Sequence, residues 1–380
     1  MLILILFGIV CNFGNIAHIV ISHPIGRASV WLFFVLFFAM FYGATPLKDA
    51  AIILMKYIDL AFIPIFIFIV SSEVLQRRAR YAFLVAMAIT LLLSYLVGLN
   101  ILPVMAWMNS WTVVSNPAIF HSHITQSNMM AFAVFLALLE WRDAGTKMKM
   151  AGWALFSVLG IINIMFMVQG RTGYLILFVL ISWFGWMTFE RVMRRKNLNF
   201  SWKRRGLFLI VLLLGAVGTY HLSSRLQDRV ALVISEYQAW TQSRGDKTSI
   251  GLRLDFYSNA FGIVKDNSLF GVGTGGFAAA YAHQVQDGGG LQTRNPHNEY
   301  LNIAVQTGGV GLVSLLILFY TLWRYAPSLP TPLEQDAARG LVLAYLVNCM
   351  INSALMDHAD GLFFAFMTGV LFARLKLKPV

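Results

Sequence analysis

One histidine at the start of a long apolar run has the chemistry of a general base. His297 lies in the sequence RNPHNEY, where Pro296 fixes the turn and Asn298 or Glu299 can begin a helix. An imidazole titrates near neutral pH and can take a proton from a hydroxyl group. Because a lone histidine in a loop is also often an ordinary polar residue, His297 is a candidate catalytic base with that alternative open.

Two arginines are candidates for binding a ligand. Arg171 stands alone in QGRTG between two apolar runs, and Arg253 lies in GLRLDFY near Asp255. An isolated arginine beside an apolar span points to function, and neighbouring glycines allow a ligand to approach the backbone. The alternatives are an Arg171 side chain that reaches lipid headgroups and an ordinary surface pair of Arg253 with Asp255.

A short acidic turn precedes the last apolar run. It contains Asp357, His358 and Asp360. Carboxylates at this position can orient a hydroxyl-bearing substrate, or they can simply solvate the turn. Asp357 is therefore a candidate substrate-binding residue.

Other patterns with chemical meaning are weaker. The sequence GVGTGG at 271–276, hereafter the glycine turn, matches the glycine spacing of dinucleotide sites. No strand precedes it, so a glycine-lined turn near a substrate is the better interpretation. His121 and His123 lack a third ligand at zinc-site spacing. Since no Walker-type ATP-binding, HExxH or GxSxG pattern and no DxD-type acidic pair occurs on the outer side either, we expect chemistry without a cofactor, ATP, zinc or a chelated divalent metal.

The composition places these residues in a membrane protein. Of the 380 residues, 58% are hydrophobic and 12% are charged, about half of the charged share of a soluble domain. The mean hydropathy is +0.69. A soluble enzyme, a secreted disulfide scaffold and a disordered chain are therefore excluded. Cys11 and Cys349 lie far apart within apolar runs, so they indicate neither a disulfide framework nor a thiolate metal site.

The apolar runs predict an all-α polytopic membrane protein with about 11–12 transmembrane helices, since a crossing needs about 20 mostly apolar residues. The predicted spans are 1–22, 29–44, 51–70, 80–99, 126–141, 150–168, 172–189, 206–222, 299–323, 339–356 and 361–375. A cytoplasmic C-terminus then puts the N-terminus outside. Either the first run is misinterpreted, or a further span precedes Met1.

The basic residues predict the orientation of these spans. The net charge is +12, from 29 Lys and Arg against 17 Asp and Glu. From the third span onward the basic residues gather in every second loop, as expected for cytoplasmic loops. Orientation therefore explains the charge, and a nucleic-acid partner has no support. The opposite side receives residues 100–125, 169–171, 223–298 and 357–360.

The long outer loop divides the chain into a membrane core at 1–222, a loop at 223–298 and C-terminal spans at 299–380. Apolar residues at helical spacing predict two amphipathic helices in the loop. The first stripe is Leu226, Val230, Val233, Tyr237 and Trp240, and the second, within 252–265, is Leu252, Phe256, Ala260 and Ile263. Because two such helices need an apolar surface, we expect an ordered cap over the outer face rather than an inert spacer.

Two stretches carry a resemblance to a known family. The run SIGLRLDFYSNAFGIVKDNSLFGVGTGGFAAAY and the later run RNPHNEYLNIAVQTGGVGL resemble the signature loop of a superfamily of WaaL-type O-antigen ligases, Wzy-type O-antigen polymerases and protein O-oligosaccharyltransferases. The strongest resemblance covers about residues 250–315, and a weaker one includes the GRTG hairpin and the multi-span plan.

The resemblance implies a GT-C type membrane glycosyltransferase of the bacterial inner membrane whose active site faces the periplasm. The donor would be a glycan on undecaprenyl pyrophosphate and, in a ligase, the acceptor would be a sugar hydroxyl of lipid A–core. His297 would be the catalytic residue, Arg171 and Arg253 would bind the pyrophosphate, and Asp357 would correspond less closely. Two arginines can replace a divalent cation on the leaving group, and a histidine base implies inversion.

Other functions remain open at this level. A polymerase and a protein oligosaccharyltransferase share the donor and differ in acceptor, which no motif reports. We favour the ligase, because no second arginine-rich outer loop of comparable size occurs. A transporter is a more distant alternative, since the internal repeats and paired broken helices of many transporters are not evident.

Overall fold

The structure is a computed structural model that describes residues 12–196, 206, 217–218, 220–221, 224–242, 248–286 and 291–375. Over these residues the chain is helical, and its extended pairing is limited to an isolated bridge between Val113 and Asn116. The helices are α1 (Phe13–Ser22), α2 (Pro24–Ala39), α3 (Leu47–Met55), α4 (Asp59–Ile69), α5 (Glu73–Gly98), α6 (His123–Arg142), α7 (Lys147–Ile162), α8 (Arg171–Arg195), α9 (Ser224–Gln242), α10 (Ser249–Asp266), α11 (Phe277–Val285), α12 (Glu299–Tyr325), α13 (Pro332–Ile351) and α14 (His358–Phe372). The predicted class, an all-α polytopic membrane protein, is confirmed.

The part of the chain that the structure describes has fewer candidate spans than the sequence predicts. Within the described residues, six segments are long and apolar enough to cross a membrane, and α1 with α2 forms a further pair bent by 94°. The six are Leu47–Ile69, Glu73–Gly98, His123–Arg142, Lys147–Met167, Arg171–Arg195 and Glu299–Ser328. Counting the bent pair as one span gives at most seven in this part of the chain, against the predicted 11–12.

Local features explain most of this difference. His23 is extended at φ −86° and ψ 118°, because a residue before proline avoids the helical region, and the two first apolar runs bend there. The last two runs form α13, which begins with charged residues, and α14, which has 15 residues, too few for a crossing of about 20. Most of the predicted span 206–222 and the start of the first predicted span lie outside the described residues.

The loops with predicted cytoplasmic charge meet at one end of the bundle. Arg142 and Arg191 both contact Asp336, at 2.8 Å and 3.1 Å between guanidinium nitrogen and carboxylate oxygen. Arg80 lies 3.3 Å from Glu140 in the same way. These contacts join the C-terminal parts of α6 and α8 to the start of α5 and α13. The grouping of the basic loops follows the sequence prediction.

The loops predicted on the outer side meet at the opposite helix ends. The backbone nitrogen of Gln169 donates to Asn116 Oδ1 at 3.0 Å, which joins the turn before α8 to the long loop before α6. Asn352 Nδ2 donates to Thr172 Oγ1 at 3.1 Å, which joins the end of α13 to the same turn. The Arg171 turn is therefore held by two other outer segments.

The long outer loop contains α9, α10 and α11. In α10 three residues of the predicted apolar stripe are buried, and the fourth, Leu252, is partly buried. They pack with α11 and α12 in a cluster whose buried members are Phe256, Ala260, Ile263, Phe277, Tyr281, Val285 and Val305. Helix α9 meets α10 where Trp240 Nε1 donates to Asp255 Oδ1 at 2.7 Å, while its Val230, Val233 and Tyr237 are exposed. The ordered cap is thus built from α10 and α11. The predicted flexible stretch at Gly288–Gly290 lies outside the described residues.

The glycine turn inserts between α2 and α12. The Gly273 nitrogen donates to Gln306 O at 2.9 Å, and the Thr274 nitrogen donates to Ala39 O at 3.0 Å. Gly273 has φ of +89°, and a Cβ added there would lie 2.4 Å from the Gly43 Cα. The glycines therefore permit close packing of three backbones, which explains their spacing without a dinucleotide.

Replacing Gly273 by alanine should destabilise the protein. A left-handed backbone costs an L-residue about 1–2 kcal/mol, and the added methyl group overlaps Gly43, which typically adds about 1–3 kcal/mol. We expect the free energy of unfolding, measured in detergent micelles, to fall by about 2–5 kcal/mol. Gly152→Ala is the matched control, since nothing lies within 4 Å of a Cβ there. Equal stability of both variants would contradict the packing role.

Candidate active site

His297 is held in a strained turn. Its φ of +53° lies in the left-handed region, which few residues other than glycine adopt. The His297 nitrogen donates to Asn295 Oδ1 at 2.9 Å, and the same oxygen accepts from Ser353 Oγ at 2.6 Å. The turn thus depends on a contact with the segment that follows α13.

The histidine turn has two further attachments. The Tyr257 hydroxyl lies 3.1 Å from the His297 carbonyl oxygen and 3.3 Å from that of Met350. Asn298 caps α12 by accepting from the Leu301 nitrogen at 3.0 Å, and its Nδ2 donates to Met350 O at 2.9 Å. The prediction that Asn298 or Glu299 begins a helix is confirmed. The backbone of the histidine turn is therefore fixed to the start of α12, to α10 and to the end of α13.

The surroundings of the His297 ring favour its neutral form. The residue is exposed, yet one ring face stacks on Phe256, with 6.4 Å between ring centroids. Burial against these neighbours lowers the pKa of His297, and the positive charge of Arg253 lowers it further. A neutral imidazole can accept a proton, so the geometry suits a general base near neutral pH.

Arg171 and Arg253 line the same cavity of about 280 Å³. Arg171 is the first residue of α8, whose free amide groups also favour an anion, and Arg253 lies in the first part of α10. Within the described residues neither arginine forms an ion pair. The cavity also has no carboxylate in its lining. Two unneutralised guanidinium groups make it suitable for an anionic ligand.

The glycines beside Arg171 have a packing role. A Cβ added at Gly170 would lie 2.1 Å from Ser127 Oγ, and one at Gly173 would lie 2.5 Å from Ser127 Cβ. The sequence interpretation assigned them to ligand approach. In the structure they bring the start of α8 against α6, which places the Arg171 side chain at the cavity.

The structure adds residues to the site that the sequence analysis missed. Asn116, His123 and Gln169 line the cavity with the two arginines. Gln169 lies two residues before Arg171 in the sequence. The sequence gives no signal for Asn116, and the sequence analysis considered His123 only as a zinc ligand without a third partner. Among the described residues no group of three or more potential metal ligands occurs.

Glu299 is a further residue that the sequence analysis did not assign to the site. It is fully buried, at 0% exposure. Its carboxylate accepts from the Tyr57 hydroxyl at 2.8 Å and from the nitrogens of Leu355 and Met356 at 2.7 and 3.2 Å. Glu299 thereby fixes the start of α12 to the turn after α13, two residues from His297.

Asp357 has a structural contact of its own. Its carboxylate caps α14 by accepting from the nitrogens of Ala359 and Asp360 at 3.0 and 3.3 Å. Asp357 is not in the lining of the arginine cavity. Beside it, His358 Nδ1 lies 3.0 Å from the buried Asp59. A contact between Asp357 and the substrate stays a prediction.

The fold and the site define a helical multi-pass membrane protein with a cationic cavity at one end of its helices. A family model described as O-antigen ligase matches residues 155–316, a range that contains Arg171, Arg253 and His297. The resemblance to the O-antigen ligase superfamily is thereby confirmed over this part of the chain. The match supports an activity of the ligase, polymerase or oligosaccharyltransferase type.

Two further similarities are more distant. An uncharacterized protein of Haemophilus influenzae is 24% identical over 156 residues, which cover 39% of this chain and 39% of that protein. A chain of a peptidoglycan synthase complex, solved in a study of how polymerization and crosslinking are coordinated, is 18% identical and aligns over 92% of this chain and 96% of its own. Its TM-score of 0.48 does not bear on the fold or the function of this protein.

Removing the charge of Arg253 should raise the pKa of His297. Arg253→Met eliminates one of the two causes that lower this pKa, whereas burial against Phe256 remains. The change is measured by NMR titration of ring-labelled histidine in micelles, with His297→Gln used to assign the resonance. Lys265→Met, a charge change farther along α10, is the control. A pKa that stays constant or falls in Arg253→Met would refute the electrostatic coupling.

Proposed function

We propose that the protein is an O-antigen ligase, a metal-independent inverting glycosyltransferase. It would move O-antigen polysaccharide from undecaprenyl pyrophosphate to a sugar hydroxyl of lipid A–core at the periplasmic face of the inner membrane, and so complete lipopolysaccharide. The observation that carries the proposal is the cavity shared by Arg171 and Arg253. Phe256 lies one helical turn after Arg253 on α10, and the His297 ring stacks on it. The family match supports the same class of reaction.

The two arginines account for the leaving group. A glycosyl pyrophosphate is already activated, so the reaction needs no nucleotide, but the departing pyrophosphate must be stabilised. Guanidinium groups stay charged at any relevant pH and bind phosphate oxygens in a fork of parallel hydrogen bonds. Arg171 and Arg253 come from different segments and face one cavity, so they can hold the pyrophosphate from two sides and stabilise its developing charge.

His297 accounts for the nucleophile. The neutral imidazole accepts the proton of the acceptor hydroxyl while the hydroxyl oxygen forms a bond to the anomeric carbon. The bond from that carbon to the phosphate oxygen breaks, and the lipid pyrophosphate leaves as an anion. Attack from the side opposite the leaving group inverts the anomeric carbon. The lowered pKa of His297 keeps the imidazole in the accepting form.

Replacing His297 should abolish transfer without preventing folding. Loss of a general base costs about 10²–10⁴-fold in rate, so His297→Ala should reduce transfer from undecaprenyl-pyrophosphate glycan to lipid A–core by at least about 100-fold. The assay uses purified protein with a chelator present. His283→Ala removes an exposed histidine of the same outer loop and should keep full activity. Normal transfer by His297→Ala would disprove the assignment of the base.

The arginine assignment has its own test. Arg171→Lys and Arg253→Lys keep the charge but lose the fork geometry, so each should lower kcat/KM by roughly tenfold or more, since a hydrogen bond to a charged group is worth about 1.5–3 kcal/mol. Arg77→Lys, an exposed arginine at the basic end of the bundle, is the control. Unchanged turnover in both variants would reject the pyrophosphate site.

The transfer assay with different acceptors, together with an uptake measurement, separates the ligase reaction from the three alternative functions. Product with lipid A–core supports the ligase. Chain growth from the donor alone would identify a polymerase, and transfer to a protein hydroxyl would identify an oligosaccharyltransferase. Uptake of substrate into proteoliposomes without transfer would identify a transporter.

A further inference from the structure

A second cavity lies between α3 and α11 and is closed on one side by the glycine turn. Its volume is about 730 Å³, and it shares no lining residue with the arginine cavity. Ile52, Ala278 and Ala279 represent its mostly small or apolar walls, and Asp49 and Arg294 are the charged residues in its lining. The cavity is therefore a mainly apolar space with one cation, Arg294, and one carboxylate, Asp49, in its lining.

This cavity is close to the candidate base. Arg294 precedes His297 by three residues, which span at most about 10 Å of extended chain. Helix α11, which lines the cavity, also contacts the surroundings of His297 through Tyr281, a buried residue that is not itself in the cavity lining. Tyr281 of α11 lies 5.8 Å from Phe256 between ring centroids, and Phe256 stacks on His297 at 6.4 Å. A ligand in the cavity would thus lie on the α11 side of His297. Arg253, three residues before Phe256 on α10, belongs to the arginine cavity instead.

The cavity is accessible to an apolar chain from the bilayer. Helix α3 belongs to the candidate span Leu47–Ile69. Ile52 lines the cavity and is 54% exposed, and its neighbour Met55 on the same helix is 56% exposed. These residues give the candidate span an apolar, exposed surface beside the cavity, and a lipid chain that lies on this surface would meet the cavity at Ile52.

The charge in the cavity selects the head group. In the part of the chain that the structure describes, Arg294 forms no ion pair. An arginine beside an apolar wall matches a ligand that has an apolar chain and a phosphate. Asp49 would repel a phosphate at its own position and can accept hydrogen bonds from sugar hydroxyls, so the two side chains favour one orientation of a phosphorylated glycolipid.

We propose that this cavity binds the acceptor and that the acceptor is a phosphorylated glycolipid whose phosphate contacts Arg294. The inference rests on the proposed function, which requires a donor and an acceptor. The donor pyrophosphate occupies the cavity of Arg171 and Arg253, so a second anionic amphiphile needs a separate cation. The apolar walls and Arg294 supply that second site within reach of His297.

The kinetic test replaces Arg294 by glutamine. With the donor saturating and lipid A–core as acceptor, Arg294→Gln should raise the KM of the acceptor at least about tenfold, the loss expected for a charged hydrogen bond of about 1.5–3 kcal/mol. The kcat and the KM of the donor should stay within about twofold of wild type. With dephosphorylated lipid A–core, wild type and Arg294→Gln should have the same acceptor KM. An unchanged acceptor KM, a rise confined to the donor KM, or an equal loss with the dephosphorylated acceptor would overturn the proposal.

Two variants provide the controls. Lys48→Gln removes a neighbouring positive charge on α3 that is not in the cavity lining, and its acceptor KM should match wild type. Ala279→Leu fills the cavity without changing charge, and it should also raise the acceptor KM while leaving the donor KM unchanged. A normal acceptor KM in Ala279→Leu would show that the acceptor does not enter the cavity.

A binding measurement separates this proposal from the reaction itself. Labelled lipid A–core is titrated onto the protein in phosphatidylcholine nanodiscs, with no donor present. Binding that is lost in Arg294→Gln and Ala279→Leu, even if wild type transfers nothing, supports the site while the proposed reaction fails. Transfer that proceeds with binding intact in both variants supports the reaction and overturns the site. Competition by phosphatidylglycerol at equal concentration would show a site for bulk anionic lipid and overturn the acceptor assignment.

Discussion

The buried carboxylate of Glu299 organises the end of the molecule where the site lies. A carboxylate removed from water is very unfavourable unless its oxygens are hydrogen-bonded. Both Glu299 oxygens have partners, which are the Tyr57 hydroxyl and the nitrogens of Leu355 and Met356. Because these partners come from two distant parts of the chain and Glu299 from a third, the contact fixes the break after α3, the start of α12 and the turn after α13 together. The turn that carries His297 leads directly into this fixed residue, which follows two positions later.

Arginine has different surroundings at the two ends of the bundle. At the basic end Arg142 and Arg191 share Asp336, at 2.8 and 3.1 Å. Such pairing satisfies the charges and joins helix ends. At the other end, within the described residues, Arg171 and Arg253 face a cavity and form no ion pair. The same residue type therefore serves packing at one end and is available to a ligand at the other.

The sequence predicts the class of fold and the candidate residues better than it predicts their arrangement. Hydropathy identifies a helical membrane protein, but it overcounts spans, because a 94° bend at His23 and the 15 residues of α14 are not visible in apolar composition. Unusual residue types single out Arg171 and His297 beside spans and Arg253 within the long outer loop. Asn116 and Glu299 escape the sequence analysis, since their importance comes from contacts with distant segments. The glycine turn is recognisable from sequence, while its role in packing depends on three backbones meeting.

The left-handed backbone at His297 separates Arg294, which lines the second cavity, from the start of α12; His297 itself lines neither cavity. A non-glycine residue at φ of +53° is unfavourable, and such strain persists only where surrounding contacts over-determine it. Asn295 Oδ1 and the Tyr257 hydroxyl supply those contacts on the two sides of the residue. The sharp reversal places Arg294 in the second cavity while the imidazole stacks on Phe256. In the proposed mechanism this strained turn sets the position of the candidate base relative to Phe256 and Arg294, since the backbone contacts on both sides of His297 hold it in place.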